Sequence, residues 1–285
     1  MRDRSAILRF HVRNSLRGHW QTVLLAAFTA GFCRTLYQVA FDLKSGELLT
    51  RYAELMAGHI TLDGFIGLLK WSDYVIPLAL FALSLIVTPA LNMGLIQMYI
   101  LLVKGMDAPF NTIFSRLRVF HKAIALNIYT GLKMILWGLL PMIPFTGWLL
   151  LGFPLDVPLF IGILRIMPVA SVILVFMAYY RYVLAVYILT EYSDNGVFYA
   201  VITSKKKMRG YKKDFIMLQL SFVGWLALSL VLHSILPVIV GNVIAIAAGL
   251  FIDLALSVYM SATITMFYLA RWNTPAVKND EKPEA

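Results

Sequence analysis

Residues Thr203 to Trp225 read TSKKKMRGYKKDFIMLQLSFVGW. Lys205, Lys206, Lys207, Arg209, Lys212 and Lys213 form a basic segment interrupted at Gly210. An apolar run follows at once. Cations at the water side with hydrocarbon-compatible residues behind them predict a surface helix feeding a transmembrane helix. A glycine at the junction permits the positive φ that ends many helices.

The whole chain fits that reading. Its 285 residues are 60% hydrophobic and only 14% charged, with a mean hydropathy of +0.77. Soluble domains carry about 25% charged residues. Low charge and long apolar runs predict an all-α polytopic membrane protein. The basic opening, 1–19, precedes an apolar run that lacks an evident cleavage site and contains Arg34, so an uncleaved first span is expected. The single cysteine, Cys33, excludes an intramolecular disulfide.

Six spans are predicted, at about 20–41, 74–103, 123–140, 168–190, 214–236 and 242–270. Residues 1–19 form a cytoplasmic amphipathic segment and 271–285 a tail expected to be disordered. Span two exceeds the roughly 20 residues needed, so it is tilted or broken near Pro89 and Gly94. Residues 42–74 suggest short amphipathic helices on the far side. Residues 145–167 suit a loop, a re-entrant hairpin or an extension of the next span.

Charge sets the orientation. Segments 1–19, 104–122, 191–213 and the tail hold 18 of the 25 Lys and Arg residues, against 4 on the opposite loops. Both termini are therefore expected in the cytoplasm. Such a face suits anionic phospholipid, with a protein partner left open. It leaves no soluble domain to read nucleic acid. Two readings fit the cytoplasmic edges: a unit of a surface helix plus two spans repeated three times, or a general demand for Arg, Lys and Trp or Tyr at every such edge. Leu16-Arg-Gly-His-Trp20 before span one resembles Met208-Arg-Gly-Tyr-Lys212 before span five, with Leu117 to Lys122 a looser version.

Several stretches resemble the bacterial integral membrane domain-of-unknown-function family 975. They are Gly18 to Val23, Pro89-Ala-Leu-Asn-Met-Gly94, Leu136 to Pro144, Tyr180 to Thr190, Ser204 to Gly210, and Leu220-Ser-Phe-Val-Gly-Trp225. Residues 42–74 look longer than is usual there, and 145–170 look inserted. The resemblance implies a membrane architecture and a bacterial source, which makes the plasma membrane the expected location. It implies no activity and no catalytic residues.

Ionisable residues inside spans are candidate site residues. By helical rise, Lys133, Arg181 and Asp253 each lie roughly 14–17 Å from a span end, near the midplane. Meeting in the bundle, they would leave net positive charge for an anionic ligand. Alternatively, Asp253 pairs with one cation while the other snorkels. Arg34 and His233 lie toward the outer leaflet. The five histidines show neither HxxxH nor HExxH spacing, so no metal site is expected. No cofactor motif is found. Ser221, Ser229 and Ser234 flank His233 without a usefully spaced carboxylate, which disfavours hydrolase chemistry. The expected role is non-enzymatic and transport-like, or lipid- or peptide-handling, through a polar midplane site. The alternative is a non-catalytic scaffold, accessory or immunity protein.

Overall fold

The structure, a computed structural model, describes residues 2–57, 59, 61, 63–64, 67, 72–150, 158–240 and 242–272. The described residues are helical, without strands. A surface helix, α1 (Arg2–Ser15), leads through a turn into α2 (Trp20–Met56). Helix α3 (Ser72–Val103) is followed by two 3-10 turns, Phe110–Phe114 and Leu117–Val119. Then come α4 (Phe120–Leu139), the short α5 (Met142–Leu150), α6 (Pro158–Tyr182) and α7 (Ala185–Glu191). A second surface helix, α8 (Val197–Lys207), precedes α9 (Lys212–Leu220), α10 (Val223–Val240) and α11 (Asn242–Trp272).

Five segments are long and apolar enough to cross a bilayer: Trp20–Phe41, Val75–Val103, Ile166–Glu191, Lys212–Leu236 and Ala247–Arg271. At most 33% of any of these windows is buried inside the protein, so most of each apolar surface needs lipid around it. These are the expected spans one, two, four, five and six, within a few residues. Expected span three coincides with α4, which is not among the five. Lys122, Asn127 and Lys133 lower its hydropathy.

The boundaries differ in instructive ways. Residues 42–56 do not form separate short helices, because α2 continues unbroken to Met56. Span two is neither broken at Pro89 nor at Gly94, because α3 carries Pro77 and Pro89 within one helix. Residues 158–167 extend the following span as the start of α6, and 142–150 form α5. The expected disordered tail, beyond residue 272, lies outside the described residues, as do residues 151–157.

Small side chains let the helices approach where no hydrophobic effect drives them together. Ala26, Ala27 and Ala30 of α2 are buried in one core with Leu91, Leu95 and Met98 of α3 and Val258 and Ala262 of α11. A second core joins Met93, Ile96 and Ile100 of α3 to Ala123 and Leu126 of α4, Ile188 of α7, Phe215 of α9 and Phe267 of α11. Helices α3 and α11 therefore serve both cores.

The repeat is visible in the backbone. After α1, the N–H groups of Leu16, Arg17, His19 and Val23 donate to Val12, Asn14, Leu16 and His19. After α8, those of Met208, Arg209, Tyr211 and Phe215 donate to Ser204, Lys206, Met208 and Tyr211, a constant offset of 192 residues. Gly18 at φ +88° and Gly210 at φ +86° occupy the same step. Leu16 and Met208 are both buried there, as are Val23 and Phe215. The middle unit replaces its surface helix with the 3-10 turns. Packing is cyclic: α1 lies on α11, the first 3-10 turn on α3, and α8 on α6 and α7. Each surface segment thus seats on the second long helix of the unit before it.

Left-handed backbone costs a non-glycine residue about 1–2 kcal/mol. Gly18→Ala and Gly210→Ala are each expected to lower stability by that amount, read as an earlier midpoint in an SDS titration of the purified protein. A Cβ at either position meets nothing within 4 Å, so lost packing would not contribute.

Candidate functional site

A cavity of about 440 Å³ lies among α2, α3, α4, α6, α7 and α11. The second long helix of every unit contributes to it: α3, the α6–α7 pair and α11. Its polar lining is Arg34, Asn92, Asn127, Thr130, Tyr182 and Ser261, together with Thr88. Met93, Ile96, Leu126, Met134 and Ile264 supply apolar walls.

Local sequence explains the opening. Asn92 is exposed although Ala90, Leu91, Met93, Leu95 and Ile96 around it are buried, so its accessible surface faces the cavity it lines. The Thr88 hydroxyl is buried beside Pro89 with no hydrogen-bond partner among the described residues. Thr130 spends its hydroxyl on the Leu126 carbonyl at 2.8 Å. Arg34 lines the cavity, remains exposed, and has no ion-pair or hydrogen-bond partner among the described residues. A cation at membrane depth costs about 2.5–3.5 kcal/mol on insertion scales unless water or a counter-charge meets it.

Aromatic rings gather beside the cavity. Tyr187 lines the cavity and faces Tyr99 and Thr265. Its ring centroid lies 5.7 Å from that of Tyr268. Tyr99, Tyr187 and Tyr268 are all buried, and each comes from the second long helix of a different unit. The Tyr268 hydroxyl donates to Glu191 Oε2 at 2.6 Å, and Lys104 Nζ donates to Glu191 Oε1 at 2.7 Å. One carboxylate thereby ties the ends of α3, α7 and α11.

Further contacts brace this basic side. Arg116 donates to Ser193 Oγ at 3.1 Å and to Gln97 Oε1 at 3.0 Å. Burial pulls its guanidinium pKa below the ordinary arginine value, and the Asp194 carboxylate opposes part of that shift. Lys122 donates to the Ser193 carbonyl at 2.7 Å. Arg271 pairs with Asp214 at 2.8 Å and stacks over Tyr211 at 4.4 Å. Of the basic cluster, Lys205, Lys206, Arg209 and Lys213 are exposed, while Lys207 and Lys212 are half-buried. Lys205, Lys206 and Lys207 complete the last turn of α8, where the helix dipole favours cations.

The midplane residues singled out in the sequence do not share one site. Lys133 stands over the Tyr129 ring at 5.6 Å, one turn back along α4. Arg181 stands over the Trp137 ring at 4.9 Å. Neither lines the cavity. Asp253 belongs to the α10–α11 hairpin: it accepts from Ser229 Oγ at 2.7 Å and sits 3.4 Å from His233 Nε2. Gly249 makes room for that imidazole, since a Cβ there would come within 2.6 Å of His233 Nε2. The sequence spacing gave no sign of this cross-helix meeting. A nucleophilic serine needs its hydroxyl on the base; here the carboxylate stands between Ser229 and His233. No group of three or more potential metal ligands occurs among the described residues.

The family described as "Protein of unknown function (DUF975)" matches residues 1–271. The chain belongs to this family. The match spans α1 to the last turn of α11, and so includes every residue that lines the cavity. The DUF975 segment Pro89 to Gly94 is where the cavity wall and the seat of the 3-10 turn coincide. No curated protein and no solved structure matches the chain.

Proposed function

We propose that the chain is a non-enzymatic protein of the bacterial cytoplasmic membrane that holds a small ligand in its central cavity, in the manner of a permease. The carrying observation is the polar cavity, with Arg34 unpaired and the Thr88 hydroxyl unsatisfied among the described residues. Polar atoms at membrane depth are tolerated where water or a ligand covers them. Helix breaks beside the cavity favour transport over passive scaffolding, because transporters build their sites at discontinuous helices. The α6–α7 junction at Val183 and Leu184 is one such break, and Tyr182, Val183 and Ala185 there line the cavity.

Six spans complete the reading, with α4 as the third. Its support is the repeat, in which α4 follows the 3-10 turns as α2 follows α1. Both termini and the Lys205–Lys213 cluster then face the cytoplasm, where anionic phospholipid stabilises each near-surface cation by about 1 kcal/mol.

Cysteine accessibility tests the cavity. In a Cys33→Ser background, Asn127→Cys on the cavity wall is expected to react with a membrane-impermeant thiol reagent at least about tenfold faster than Leu132→Cys. Leu132 lies on the same helix, is 53% exposed and does not line the cavity. Equal rates at the two positions would mean that the cavity is closed to water, and the reading would fall.

A further inference from the structure

We infer that the cavity takes a small organic oxyanion, a carboxylate or phosphate head on a short apolar or aromatic body, gripped by Arg34. This rests on the cavity being a ligand site and adds the class of ligand.

Charge within the lining decides the sign. Among the described residues, Arg34 is the one ionised side chain in the lining; no Asp, Glu, Lys or second Arg contributes. Three carboxylates among the described residues are engaged elsewhere: Asp253 with Ser229 and His233, Glu191 with Lys104 and Tyr268, Asp214 with Arg271. Arg34 thus lines the cavity with no partner for its donors among the described residues, and its planar fork matches an oxyanion. Other groups suit the same head. The Thr88 hydroxyl is an unspent donor, and Asn92 and Asn127 carry amide N–H groups. The body has its own surface, since Met93, Ile96, Leu126 and Met134 are apolar and Tyr182 offers a ring. A volume of about 440 Å³ holds a small molecule rather than a folded peptide.

The ligand could arrive as a free metabolite or as a lipid head. Both carry the same chemistry, and the probes separate them. Binding to the detergent-purified full chain is followed by thermal shift with hexanoate, hexyl phosphate, lysophosphatidate and the neutral isostere hexanamide at matched ionic strength. Hexanoate or hexyl phosphate is expected to bind at least about tenfold more tightly than hexanamide, and Arg34→Gln to erase that preference. Lysophosphatidate binding in place of the short anions would assign the site to a lipid head. Should Arg34→Gln fail to fold, Asn127→Asp keeps the shape and sets a carboxylate in the cavity. It is expected to weaken the anions about tenfold and leave hexanamide unchanged. Equal binding of hexanamide and the anions, or an anion preference that survives both substitutions, would overturn the assignment. Because Asn127→Cys labelling reads water entry alone, a wet cavity without anion preference would sink the ligand class and spare the cavity.

Discussion

Gly94→Ala is expected to unseat the first 3-10 turn from α3 and to lower stability by about 3 kcal/mol or more, at or beyond the upper end for overpacking. A Cβ at Gly94 would overlap the backbone carbonyl of Ile113. A carbonyl cannot swing aside as a side-chain terminus can, so the turn must move bodily. Ile113 is buried in the core shared by α2, α3 and α11, and moving the turn withdraws it. Arg116 lies just beyond, holding Gln97 of α3 and Ser193, so those bonds lengthen as well. Gly131→Ala supplies the control. Gly131 lies inside α4 with nothing within 4 Å of an added Cβ, and alanine there should stabilise by about 0.5–1 kcal/mol through helix propensity. An SDS or thermal titration in detergent compares the two. Equal, small effects would show that the turn does not press on α3.

The sequence made the membrane class, the basic face and five of the spans legible, because each rests on one-dimensional patterning. Hydropathy finds a span wherever apolar residues run long enough. The repeat was also written in the chain, in Leu16-Arg-Gly18 and Met208-Arg-Gly210, although only the matched turns of the backbone show that both glycines take positive φ. The site was less legible. Lys133 and Arg181 stood out as charges near the midplane, yet each rests over an aromatic ring, which a charge count does not foresee. Asn92, Asn127 and Thr130 passed as ordinary polar residues in apolar runs. Their importance comes from two helices, α3 and α4, turning them toward one space, and periodicity within a single helix carries no information on that. Arg34 was noticed but placed outside the site. Its depth along α2 says nothing about which neighbours are spent on other partners.

The other large effect belongs to Glu191. Its two carboxylate oxygens accept from Lys104 at 2.7 Å and from Tyr268 at 2.6 Å. Hydrogen bonds to charged groups contribute about 1.5–3 kcal/mol each. Lys104 is 41% exposed at its side chain, so solvent screening keeps its share small, within the surface range of about 0–1 kcal/mol. The buried Tyr268 bond carries most of the sum, and Glu191→Leu is expected to cost about 2–3 kcal/mol. Glu191→Gln retains an acceptor for Tyr268 and should cost about 1 kcal/mol, the worth of turning a charged bond into a neutral one. A double-mutant cycle with Tyr268→Phe isolates the bond, and a coupling near zero would assign the loss to packing instead. The substitution also reaches the cavity. Tyr268 packs against Tyr187, which lines it, so removing the carboxylate loosens that ring. In right-side-out vesicles of the Cys33→Ser background, Asn127→Cys should then label faster with a thiol reagent sealed inside than it does with Glu191 intact. If inside labelling stays as slow as with Glu191 intact, the rings hold themselves in place and the carboxylate merely ties the helix ends together.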